Sequence, residues 1–166
     1  AARNTTTGGS NTAIGYLAMD VNSTGQYNTA IGFEALDANT TANHNTAIGK
    51  GALGANTTGA YNTVVGSNAC DKNTTADNNT AMGYAAMNEN TTGNNNVSIG
   101  RSSLAANTTG STNIAIGNYA LDANTTADDN IGIGYLALSA NTTGAANTAV
   151  GHASLDANTT GLQNTA

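Results

Sequence analysis

The sequence has no proline and no tryptophan, one cysteine, one phenylalanine and only four basic residues among 166. Four scattered Lys and Arg against ten Asp and Glu, a net charge of −6, argue against a nucleic-acid partner, because holding phosphates takes clustered positive charge. No apolar run approaches the length of a membrane span, so membrane insertion is not expected. The opening AARNTTTGGS has neither the charged start nor the apolar stretch of a secretion signal; either export is handled otherwise or a signal has been removed. Cys70 is alone and cannot form an internal disulfide, which leaves the redox compartment open. With 8% charged residues and no proline, the chain is also unlike disordered segments, which repel themselves or carry Pro and Glu.

What is present is chiefly Asn, Thr, Ala and Gly in a fixed order. Counting from Asn11, nine repeats of seventeen residues fill 11–163, residues 164–166 open a tenth, and residues 1–10 are the end of a preceding one. Neither end resembles a cap, so the chain is expected to be a single repeat domain cut from a longer fibre or continued by a neighbour.

Position one of the repeat is always Asn: Asn11, Asn28, Asn45, Asn62, Asn79, Asn96, Asn113, Asn130 and Asn147, with Asn164 beginning the next. Position twelve is always Asn as well: Asn22, Asn39, Asn56, Asn73, Asn90, Asn107, Asn124, Asn141 and Asn158. Position five is always Gly and position fourteen always Thr. Position four is an apolar column of Ile14, Ile31, Ile48, Val65, Met82, Ile99, Ile116, Ile133 and Val150. Five residues on, position nine is a second one: Met19, Leu36, Leu53, Cys70, Met87, Leu104, Leu121, Leu138 and Leu155. Position six reads Tyr16, Phe33, Lys50, Ser67, Tyr84, Arg101, Asn118, Tyr135 and His152. Such variation within one chain marks an outward position, as it does at positions seven, sixteen and seventeen.

Fixed Asn, Thr and Gly are incompatible with an amphipathic helix of this period. The alternation in T-A-I-G and x-A-L predicts two short strands per repeat, broken at the invariant Gly and at the NTTG loop. Seventeen residues then form one coil of an all-β parallel solenoid, with equivalent positions stacked about 4.8 Å apart. Stacked Asn at positions one and twelve would form side-chain amide ladders. Stacked charges would repel, which accounts for their scarcity. Two large aliphatic side chains per seventeen ordered residues are few. One apolar column is therefore expected to fill a thin interior, and the other to face copies of the same chain.

With the residues set out, NTAIG…AL…NTTG resembles the SVAIG-type repeats in the heads of trimeric autotransporter adhesins and the related TAIG repeats of bacterial and phage tail-fibre-like proteins. The resemblance covers essentially the whole chain, although the coil here is longer by its NTTG loop. It implies a left-handed parallel β-roll, three chains packed side by side as a homotrimer, and display outside the cell, at the cell surface or on a virion fibre. The function expected is a structural or adhesive extracellular fibre module that assembles with copies of itself and contacts a surface receptor or glycan.

Other readings carry less. No enzyme and no cofactor are expected: His44 and His152 fall at different phases and cannot share a metal or catalytic site except by accident. Asp20, Asp37, Asp71, Asp122 and Asp156 recur at position ten, but Gly54, Asn88, Ala105 and Ser139 replace them, and no calcium-loop spacing is present, so they read as solvated turn residues. Cys70 stands in the leucine column and reads as a small core residue. The NTT and NST runs match the glycan acceptor pattern at Asn22, Asn39 and Asn56, yet a ladder accounts for all of them without glycan. Regular Thr arrays invite an ice-binding surface, against which the adjacent Thr of positions thirteen and fourteen would face opposite sides of a strand, while Val97, Ile114 and Ile131 interrupt the Thr column at position two.

Overall fold

The computed structural model describes residues 7–166; of the segment expected to end a preceding repeat, residues 1–6 lie outside that range. The architecture is a parallel β-solenoid with one seventeen-residue coil per repeat. Its nine strands are β1 (Thr12–Ile14), β2 (Thr29–Ile31), β3 (Thr46–Ile48), β4 (Thr63–Val65), β5 (Thr80–Met82), β6 (Val97–Ile99), β7 (Ile114–Ile116), β8 (Ile131–Ile133) and β9 (Thr148–Val150). They form one sheet in chain order, each strand parallel to the next. The register never slips: Thr12 pairs with Thr29, Thr29 with Thr46, and so on to Ile131 with Thr148. Equivalent residues therefore stack along the axis, which turns each sequence column into a physical column.

Each coil contributes one strand among the described residues, where the x-A-L alternation predicts a second. The reason lies in the backbone at positions seven and nine, which is left-handed: Glu34 has φ 54°, Leu36 53°, Ser102 51° and Leu104 50°. A strand must place neighbouring side chains on opposite faces. Here Ala35 and Leu36 are consecutive and both fully buried. The left-handed residue rotates the chain so that both point inward. Coil-to-coil bonding survives without strand geometry, since the Leu36 N–H donates to the Ala52 carbonyl at 3.0 Å and the Glu34 N–H donates to the Tyr16 carbonyl at 2.9 Å.

The invariant glycine takes a conformation closed to other residues. From Gly15 to Gly151 it has φ between 132° and 151°, a region occupied essentially by glycine alone. In every coil but the last, its Cα also faces the main chain of the next coil, which leaves no room for a Cβ. Both reasons that a sequence could suggest for an unvarying Gly hold together at this one place.

The interior is thin. Met19, Leu36, Leu53, Cys70, Met87, Leu104, Leu121 and Leu138 are fully buried, and Leu155 packs against them partly buried. The small residues of position three (Ala30, Ala47, Val64, Ala81) and of position eight (Ala18, Ala35, Ala52, Ala69) complete the same core. Burial pushes the Cys70 thiol up to about 12, so it stays protonated and packs as a small apolar group.

Candidate functional site

Positions one, three, eight, nine and twelve of the coil point their side chains inward, and the strand face and the two turns beside it point theirs outward. Inside, the Asn of position twelve form a continuous ladder. Asn107 Nδ2 donates to Asn90 Oδ1 at 2.9 Å and to the Gly110 carbonyl at 2.9 Å, while Asn124 Nδ2 donates to Asn107 Oδ1 at 3.1 Å. The same pattern joins Asn22 to Asn39, Asn56 to Asn73, and Asn141 to Asn158. The Asn of position one form a second column, in which the side-chain oxygen receives the main-chain N–H of the next Asn, as from Asn62 to Asn45 and from Asn96 to Asn79, both at 2.9 Å. Their Nδ2 groups reach across the loop, Asn45 to the Gly59 carbonyl at 2.8 Å and Asn96 to the Gly110 carbonyl at 2.9 Å. Asn130 departs from this and donates to the Asp128 carbonyl instead.

These ladders decide the glycan-acceptor motif. Asn22, Asn39 and Asn56 are fully buried, their amide nitrogens donating to the Gly25 carbonyl, to Asn22 Oδ1 and to the Gly59 carbonyl. A sugar could not be attached to any of them without removing that coil's side chain from the interior. At position thirteen the Thr hydroxyls are also used internally, Thr57 Oγ1 donating to the Thr74 carbonyl at 3.0 Å. The Thr of position fourteen, from Thr24 to Thr143, are exposed although never replaced.

Outside, the strands present positions two and four. Ile14 and Val150 are each 59% exposed, Met82 42% and Ile48 37%, while Ile31, Val65, Ile116 and Ile133 are half-buried. The column of position four is therefore the outward apolar column, and that of position nine the inward one. In β6 to β8 position two is apolar too, so Val97, Ile99, Ile114, Ile116, Ile131 and Ile133 form a contiguous aliphatic patch over three strands. In β1 to β5 position two is Thr throughout.

The two turns flanking the strand carry rings. At position seventeen His44 lies between Tyr27 and Tyr61, with centroids 5.0 Å away on each side and planes within 10° of parallel. On the other rim, at position six, Tyr16 stacks on Phe33 at 5.6 Å and Tyr135 on His152 at 5.4 Å. The two histidines belong to different stacks, as their phases require. Among the described residues no group of three His, Cys, Asp or Glu is placed to share a metal ion.

The aspartates of position ten are less solvated than their turn-like sequence suggests. Asp20, Asp37, Asp71 and Asp122 are only partly exposed, and Asp156 alone of the five is exposed. Desolvation, the largest cause, raises Asp37, Asp71 and Asp122 above the usual carboxylate value, and a nearby acid, Glu34 or Glu89, adds to it for the first two. Gly54 opens a gap in this column, where a Cβ would stand 2.8 Å from Asp71 Oδ1 and 3.6 Å from Asp37 Oδ1.

One pairing escaped the sequence reading. Columns three and eight face each other across the interior, shown best where both change at once: Ser98 and Ser103 replace the usual Ala pair, with their hydroxyls 2.6 Å apart, and Ser98 Oγ donates to the Ser103 carbonyl at 2.8 Å. Both are fully buried. Each hydroxyl also has a main-chain acceptor, Ser98 Oγ in the Ser103 carbonyl and Ser103 Oγ in the Gly100 carbonyl at 3.0 Å, so neither is left unsatisfied. The signal was visible as a simultaneous change within a single repeat. Comparison of the chain with protein-family models, curated proteins and solved structures finds no match to any of them.

Proposed function

We propose that the protein is a structural fibre module, extracellular or displayed on a surface, whose solenoids associate side by side with copies of themselves through the outward face of the strands. The observation that carries this is the position-four column, which points outward from every strand, exposed at Ile14, Ile48, Met82, Ile99 and Val150 and half-buried at the rest, and is joined in β6 to β8 by a second aliphatic column. Nine strands at about 4.8 Å make a face roughly 40 Å long and, across about five residues, roughly 15 Å wide. That is roughly 600 Å² per copy, within reach of the ~800 Å² per partner of stable complexes. A row of outward aliphatic side chains running the length of this face calls for a partner, and a face with a constant repeat is matched by the same face of another copy. Coil stacking supplies the stiffness a fibre needs. The homotrimer implied by the resemblance to adhesin heads is the expected stoichiometry.

Sedimentation velocity at micromolar protein checks this. A discrete oligomer is expected, and Ile116→Lys, which touches no fully buried residue of the interior, is expected to give a folded monomer. A wild-type chain that sediments as a folded monomer at the same concentration would overturn the reading.

A second reading is favoured by one observation. In β1 to β5 the outward pairs are Thr12 and Ile14, Thr29 and Ile31, Thr46 and Ile48, Thr63 and Val65, and Thr80 and Met82, in register on a parallel sheet. Evenly spaced hydroxyls and methyls of this kind suit ordered water, and an ice-binding role predicts thermal hysteresis at micromolar protein. Its absence leaves the fibre reading alone.

A further inference from the structure

We infer that position six forms a ridge that binds an extended acidic polysaccharide, one whose sugars carry carboxylates. Along nine coils this column holds four aromatic residues, one histidine and two of the four basic residues of the chain, and not one of its ten Asp and Glu. The acids sit at positions seven, ten, eleven, sixteen and seventeen instead. In a chain of net charge −6 this outward column carries two cations and no acid of its own.

The C-terminal half of the ridge is the better built. The Arg101 guanidinium carbon lies 5.7 Å from the centroid of the ring of Tyr119, a position-seven residue of the next coil that flanks the ridge. Tyr119 meets Tyr135 edge-on at 6.3 Å, and Tyr135 stacks on His152 at 5.4 Å. Among the described residues Arg101 has no carboxylate in ion-pair reach, unlike Lys72, which holds Glu89 at 2.6 Å. Asn118 lies between Arg101 and Tyr135 in the column and accepts the Arg101 main-chain N–H at 2.9 Å, which leaves its amide N–H groups free to donate outward.

Each part matches a part of such a ligand. Exposed ring surfaces take the apolar C–H faces of sugars, the guanidinium takes a carboxylate with two parallel hydrogen bonds, and the Asn amide donates to hydroxyls. The described residues enclose no cavity, and small ligands need concave sites. A ridge one side chain wide with a constant axial step of about 4.8 Å suits a linear polymer lying along it. Two cations are too few for a nucleic acid, whose binding rests on many phosphate contacts.

The ridge is separate from the outward face of the strands, so sedimentation tests self-association and the following test reads this column alone. Full-length protein is passed over immobilised polygalacturonate, dextran and polyglutamate, with folding checked by circular dichroism. Retention on polygalacturonate is expected, with none on dextran. The pair Lys50→Ala and Arg101→Ala together should weaken it about tenfold or more, and Tyr135→Ala severalfold. Lys72→Ala, which removes one positive charge elsewhere, should change nothing. Failure to bind polygalacturonate, equal binding to polyglutamate, or an equal loss from Lys72→Ala would each overturn the proposal.

Discussion

Alanine at Gly49 is expected to cost the protein about 3 kcal/mol or more and to break the solenoid at the third coil. The residue has φ 133°, and a Cβ there would lie 2.6 Å from the Gly66 carbonyl oxygen and 2.7 Å from its carbonyl carbon. Neither atom can yield, because the Gly66 N–H is bonded to the Ile48 carbonyl at 2.8 Å and the Gly49 N–H to the Ile31 carbonyl at 2.8 Å. Relief requires the coils to separate locally, which breaks these bonds on both sides of the substitution. Urea denaturation checks the size of the loss against Gly9→Ala as control, since a Cβ at Gly9 meets nothing within 4 Å. A midpoint for Gly49→Ala equal to that of the control would show that the stacking is much looser than described.

Asn107→Ala is expected to cost about 2–6 kcal/mol, although it removes no apolar contact of note. The substitution strips Asn90 Oδ1 of its donor and one Asn124 N–H of its acceptor, in fully buried surroundings. Each group so orphaned costs about 1–3 kcal/mol. The Gly110 carbonyl keeps the Asn96 amide and is not orphaned. Asn107→Asp should be no better near neutral pH, because a carboxylate cannot donate to Asn90 Oδ1 and would bring a charge into the interior. Thermal unfolding of both variants is the check. A loss under about 0.5 kcal/mol for Asn107→Ala would mean that water replaces the ladder at no cost, and that the constancy of Asn at position twelve has another cause.

The columns were legible in the sequence because register makes them physical. Asn at positions one and twelve, Gly at position five and the two apolar columns read straight into stacked rows, since a coil of constant length admits one alignment of equivalent residues. The second strand does not form because alternation of x-A-L is also what a chain produces when left-handed residues turn two neighbours inward. Leu36 and Leu104 adopt that backbone, and nothing in a leucine announces it, since its side chain makes the left-handed region costly. Burial of the side chain and the axial hydrogen bonds on either side hold it there. The sidedness of the two apolar columns was open for the same reason. It depends on which way the chain rotates after the glycine of position five, a backbone property that side-chain chemistry does not encode. Position six showed its exposure by its variety, but not its contacts with position seven, where the Tyr119 ring meets the Arg101 guanidinium.

The main-chain bonds between coils all run along the long axis, while the covalent chain winds across it. A pull on the two ends of one solenoid therefore loads rungs of hydrogen bonds in series, and the first rung to yield lets the chain unreel one coil at a time. A bundle whose members hold each other side by side would distribute that tension among several rungs at the same height. For a load-bearing filament, lateral neighbours would then be a source of tensile strength as much as a cover for isoleucine.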